Sequence, residues 1–153
     1  MNKWWTGIAI AICVIAGLFI IQLRQDAIKP TIKLGKSEFS MRVARSEQEL
    51  DQGLSGTSKM PVDEALLFVF PRNQKWGIWM KEMNYPIDIV WIDENKTVVH
   101  IQRNALPSSY PDTTFRPPKP AKYVAELKAG VIDDKRITIG SLAVFDSTKG
   151  TFE

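Results

Sequence analysis

Cysteine and histidine are nearly missing from this chain of 153 residues, each occurring once, as Cys13 and His100. Cys13 sits in an apolar run near the amino terminus, so the rest of the chain has neither a disulfide nor a thiol nucleophile. One histidine without a usable cysteine excludes a zinc site of the usual nitrogen and sulfur type. No metal site, cofactor or catalytic set is read from the sequence. Charge of one sign is also lacking. The net charge is +3, and one of those charges, Lys3, precedes the apolar run. The remaining 19 basic and 17 acidic residues leave an excess of two, too small to imply a nucleic-acid partner.

Long apolar runs are absent with one exception. Residues 4–23, W-W-T-G-I-A-I-A-I-C-V-I-A-G-L-F-I-I-Q-L, carry no charge. A helix of that length spans about 30 Å, the thickness of a bilayer core. Trp4 and Trp5 suit one interface and Arg24 closes the other end. A cleaved signal peptide competes, but its apolar region would be about 7–15 residues long and end in small residues. The A-x-A here, Ala9 to Ala11, lies mid-run, and Ile12 before Cys13 does not suit a lipoprotein signal. The expectation is a single-pass anchor in the cell membrane, with the bilayer as its partner. Arg24, Lys29, Lys33 and Lys36 argue for a cytoplasmic domain. The short amino-terminal tail is the layout of a signal-anchor and favours an extracytoplasmic one.

The predicted organisation is an anchor over 1–24, a linker and first short strand over 25–36, a globular β domain over 37–147, and a polar tail over 148–153. Short strands are expected near Thr31–Leu34 and Glu38–Ala44. Ser46 with Glu49 three residues on forms a capping box, starting a short helix that Gly53 stops. Leu50 and Leu54 would dock it on the sheet. Ala65–Phe70 reads as a strand ended by Pro71. Gly35-Lys36-Ser37 lacks the earlier glycine of a phosphate loop, and Gly53-Leu54-Ser55-Gly56 lacks the spacing of a nucleophile elbow.

Residues 79–93, W-M-K-E-M-N-Y-P-I-D-I-V-W-I-D, are the stretch around which the chain is organised. The run from Trp76 to Lys81 alternates like a strand, with Trp76, Ile78 and Met80 on one face and Trp79 and Lys81 on the other. After Pro86 the next strand is apolar on both faces except for Asp88, as a central strand or one of a closed sheet would be. Asp88 is then either paired with Lys81, a cap at the strand's start, or part of a pocket with Trp79 and Lys81. A turn at 93–96 leads into a strand on which His100 shares a face with Val98 and Gln102; a structural or solvated role is expected for it.

Five of the nine prolines fall in 105–120, with Tyr110 and Phe115 between them. Such a loop reads as a rigid strap over the sheet, a pocket wall or a surface for docking a partner. Ala121–Lys128 follows as a strand with Tyr123, Ala125 and Leu127 alternating against Lys122, Val124 and Glu126.

G-L-S-G at 53–56, L-L-F-V-F at 66–70, W-M-K…P-I-D within 79–93 and Y-V-A-E-L-K-A-G at 123–130 resemble domain-of-unknown-function family 192. The resemblance covers about residues 38–146. It implies a mainly β (α+β) fold, a compact antiparallel barrel-like sheet with one or two short helices. Trp79, Met80, Lys81, Pro86, Asp88 and Glu126 match its motif positions. Thr57 stands where the family usually has arginine, and Ala65-Leu66 replaces its Gly-Met. The family offers no activity to carry over.

Three functions are weighed. The first is a tethered binding module for a small ligand or envelope component, with Trp79, Lys81, Asp88, Glu126 and Tyr110 as binding residues. The second is an adaptor that docks an envelope protein through the 105–120 loop. The third is a hydrolase with Asp88 or Glu126 as base and Lys81 as oxyanion stabiliser.

Overall fold

A computed structural model describes residues 13–15 and 30–146. Apart from residues 13–15, the anchor predicted at 4–23 lies outside the described residues, as do most of the linker and the tail. No helix among the described residues is long and apolar enough to cross a membrane.

Seven strands form one curled sheet. They are β1 (Thr31–Leu34), β2 (Ser37–Ala44), β3 (Glu64–Gln74), β4 (Ile87–Ile92), β5 (Val98–Ala105), β6 (Ala121–Lys128) and β7 (Ala143–Asp146). Their spatial order is β5-β4-β6-β3-β2-β1-β7. Two short helices, α1 (Glu47–Gln52) and α2 (Val131–Asp134), complete the fold with a 3-10 turn at Pro107–Ser109. The mainly β, barrel-like expectation holds at this level. The sheet is not wholly antiparallel, because β2 and β3 run parallel. A parallel pair needs a long crossover, and residues 45–63 with α1 supply it. The curl brings the two edge strands together at one end: Thr97 bridges Leu142, and the Val98 N–H donates to the Ser141 carbonyl at 2.9 Å.

Both faces of the sheet are covered. The inner face gathers apolar side chains from all seven strands, among them Ile32, Leu67, Val90 and Ala125, and α2 adds Ile132. The outer face carries Leu66, Phe68, Ile89 and Trp91, covered by Leu54, Met60, Ile78 and Met80 from the crossover and from the β3–β4 connection. Every residue of β4 is buried. Its two apolar faces thus report a central strand packed on both sides.

The capping box forms as its spacing dictates: the Glu49 N–H donates to Ser46 Oγ, and Glu49 accepts from the Ser46 N–H. The main-chain N–H groups of Arg45 and Ser46, both donating to that carboxylate, hold it below its ordinary 4.5. Gly53 stops the helix at φ +48, where a Cβ would also press on the Phe68 ring at 3.0 Å.

Three local expectations fail. Residues 76–81 form no strand; one bridge, Ile78 to Phe115, is their only ladder contact. The alternation in burial nevertheless survives, with Ile78 and Met80 buried and Trp79 exposed. Strand β3 runs past Pro71 to Gln74. The register against β6 breaks between Val69 and Gln74, and the proline needs no ladder donor there. His100 does not share a face with Val98. The register slips between Ile92–Val98 and Trp91–His100, a bulge that turns His100 onto the outer face, where its ring lies 5.2 Å from that of Trp91.

Candidate functional site

Two carboxylates are buried in the described sheet, Asp88 and Glu126. They stand on adjacent strands and opposite faces. Asp88 faces inward, pairing in register with Leu127, while Glu126 lies between Ile89 of β4 and Leu66 of β3 on the outer face.

Asp88 is fully engaged. The ladder between β4 and β5 is interrupted around it, between Ile87–Ala105 and Ile89–Gln102. That bulge frees the Asn104 N–H, which donates to Asp88 Oδ1 at 2.9 Å. The Ile132 N–H, in the first turn of α2, donates to Oδ2 at 3.0 Å. Gly130, the cap residue of α2, has no side chain to serve that turn. One carboxylate therefore closes a bulge and caps a helix. The expected pairing with Lys81 does not occur, and in place of a cap at its own strand's start the carboxylate serves the start of α2 and the bulge in β5.

Glu126 is the opposite case. Only 4% of the residue is exposed, and its Oε2 has no hydrogen-bond partner. Burial without a donor penalises the charged form, and it pushes this carboxyl from 4.5 up to about 8; the Arg42 guanidinium draws it down by less. Arg42 is itself ion-paired with Glu64. At neutral pH Glu126 is thus mostly a carboxylic acid.

The side chain of Glu126 is part of the wall of a partly open cleft of about 100 Å³. Phe68 and Phe70 of β3 share its floor. One side is built by residues 50–55, the end of α1 and its stop. The other is built by residues 77–79 and Met83 of the β3–β4 connection. Two stretches that sequence similarity singles out thereby face each other. They are also tied by hydrogen bonds to main-chain carbonyls: Ser55 Oγ donates to that of Lys81 at 2.7 Å, and the Gly56 N–H to that of Glu82 at 2.9 Å. Thr57 bonds the Leu54 carbonyl and the Tyr85 hydroxyl.

The proline-rich segment does act as a strap. Ile78 and Phe115 exchange N–H to carbonyl bonds at 2.9 and 2.8 Å. A Cβ on Gly77 would meet Thr114 at 2.6 Å, so the strap lies directly on the connection that walls the cleft.

Of the five expected binding residues, Trp79 and Glu126 meet at this cleft. Trp79 is 45% exposed at its edge. Lys81 contributes its carbonyl to the wall's support, and its side chain is not part of the lining. Asp88 is on the other face, and Tyr110 is exposed on the strap, away from the lining. The hydrolase set of Asp88, Glu126 and Lys81 is therefore not assembled in one place. Sequence reading missed Gly53, Phe68 and Phe70. The signal that could have found them was the glycine stop after α1, set against an aromatic strand. Among the described residues no cluster of three or more metal-ligating side chains occurs.

Two solved structures share the fold. A Sinorhizobium meliloti 1021 protein, provisionally named a transcription regulator, has a TM-score of 0.71 and 25% identity over 76% of this chain and 93% of its own. A protein of unknown function from Novosphingobium aromaticivorans DSM 12444 has a TM-score of 0.69 and 24% identity, over 76% of this chain and 83% of its own. No curated protein matches the chain. The family model DUF192, described as an uncharacterized ACR, matches residues 30–145, which take in all of the sheet but the last residue of β7. The chain belongs to the DUF192 family.

Proposed function

We propose that the domain binds a small ligand in the cleft between α1 and the β3–β4 connection, with Glu126 as the group that recognises it. The observation that carries this is the orphaned Glu126 oxygen. A buried polar atom without a partner costs roughly 1–3 kcal/mol. A fold that keeps one at the base of a cleft gains only if something else supplies the hydrogen bond. The aromatic floor and Trp79 at the edge suit a compact occupant with one polar end. A binding role is favoured over catalysis because the cleft lining offers Glu126 no histidine, cysteine or lysine to work with, and its other acid, Asp51, is exposed to solvent.

The test is a panel of small polar and charged molecules added to the full chain in detergent micelles, with the Trp79 indole N–H followed by NMR. At least one compound should shift that resonance and lose its effect in Glu126→Leu. Identical responses from the two proteins would remove the cleft from consideration.

The proposal extends to location. The uncharged 4–23 run tethers the domain to the membrane, on the extracytoplasmic side, where an envelope component is the available ligand. Alkaline carbonate should leave the full chain in the membrane pellet, and its release would sink the anchor. A second reading, an adaptor for an envelope protein, is favoured by the exposure of Leu106 and Tyr110 on the strap. A nucleic-acid partner, which the S. meliloti protein's provisional name would bring, finds no support in a net charge of +3.

A further inference from the structure

We infer that the occupant's buried end is a primary alkylammonium group, received by Glu126 in the cleft that Phe68 and Phe70 help to line. The inference rests on the cleft reading above and names its ligand class.

Four observations converge. The lining contains no lysine or arginine, while it contains two acidic side chains, Glu126 within and Asp51 at the rim. The unpartnered Oε2 is an acceptor site, and an ammonium has three donors to offer. The lining also holds aromatic and thioether groups, Phe68, Phe70, Trp79 and Met83, beside aliphatic side chains and the polar Gln52 and Ser55. Ring faces attract cations, most strongly where water is excluded; one face of Phe70 is already taken by Trp76, stacked on it at 4.3 Å. Finally, three or more clustered carboxylate, histidine or cysteine ligands are absent among the described residues, which favours an organic cation over a metal ion. An apolar cavity of roughly 150 Å³ holds benzene. The present cleft, at about 100 Å³, fits a smaller headgroup with its alkyl stem leaving past Trp79.

Binding then has a proton signature. The charged groups on Glu126's side of the sheet are Arg42 of β2, paired with Glu64 of β3, and the exposed Lys128 two residues further along β6, with Asp51 of α1 in the cleft lining; β4 contributes only Ile87, Ile89 and Trp91 on that side. Burial keeps the carboxyl protonated up to about pH 8. An arriving ammonium favours the carboxylate, so Glu126 loses its proton to solvent as the ion pair forms. Affinity therefore rises with pH below about 8 and levels off above it.

The experiment titrates n-butylammonium chloride, and in parallel neutral n-butanol, into the full chain in micelles by calorimetry. Buffers of differing ionisation enthalpy report the protons released. We expect close to one proton released per butylammonium at neutral pH, and affinity rising about tenfold per pH unit on the acid side of the transition. Glu126→Gln should lose both the slope and at least about tenfold in affinity at the plateau, with its circular dichroism unchanged. Asp51→Asn should weaken binding only a few-fold and keep the slope, which serves as a second check if Glu126→Gln folds poorly. Butanol binding that depends on Glu126, with no butylammonium binding, would overturn the cation and leave the cleft standing. Neither probe sensing Glu126 would overturn both.

Discussion

Asp88 and Glu126 are two acidic residues on neighbouring strands, about equally buried, and they differ in what surrounds their oxygens. Each oxygen of Asp88 meets a main-chain N–H. Glu126 faces rings, methylenes and a cleft, and one of its oxygens meets nothing. The sheet interior is equally apolar on the two sides. A bulge and a helix start supply donors on one side and not on the other. Burial alone therefore does not make a carboxylate a structural fault or a site; the supply of donors decides which it is.

The contrast is broken most severely at Asp88. Asparagine keeps one acceptor and adds a donor, so the N–H of Asn104 or of Ile132 is left buried without a partner. Asp88→Asn should lose about 3–5 kcal/mol, from a lost charged acceptor and a stranded donor. Chemical denaturation midpoints check this, and a loss below about 1 kcal/mol would show that the two bonds matter little.

Glu126→Gln should behave in the reverse sense and depend on pH. The unfolded carboxyl ionises near 4.5, while the folded one holds its proton to about 8. The folded state thus binds more protons across that window, and wild-type stability falls as pH rises through it. Near pH 5 the two proteins should be similar. Near pH 8 the variant should be the more stable by about 2–4 kcal/mol. A constant difference across that range would contradict the assignment.

His100→Gln is the smallest change. His100 lies half-buried against Trp91, and burial lowers its pKa from 6.5. Its depressed pKa means that stability is lost as pH falls through the histidine range. The group is only half-buried, so both that loss and the cost of substitution should stay within about 1 kcal/mol. Thermal melts at neutral and mildly acidic pH would measure it.

These two carboxylates also show how far the sequence was legible. The run at 87–92 announced a strand buried on both faces, and Asp88 was visibly anomalous within it. Its partners were not legible, because they are main-chain groups 16 and 44 residues away, exposed by a bulge and a helix start rather than by residue type. Glu126 was less visible from periodicity. With Lys122 and Val124 it read as the polar face of an amphipathic strand, and only its match to the family motif kept it among the candidates. That face is in fact covered by the crossover and the β3–β4 connection, a tertiary event with no local signature. The alternation at 76–81 failed differently. It correctly told which side chains turn inward, but a strand also needs a neighbour to pair with, and only Phe115 provides one. The capping box, by contrast, is complete within four residues and came through unchanged.

The most direct test of the account is the protonation state of Glu126 itself. A titration of side-chain carboxyl carbons by NMR, on the full chain in micelles with Glu126→Gln to assign the resonance, would follow it. The account predicts one glutamate that titrates near pH 8, far above its ordinary 4.5, and that moves to lower pH when butylammonium is added. A Glu126 resonance that titrates in the ordinary carboxylate range would mean that its oxygens are already satisfied, and the cleft would lose the group on which its function is built.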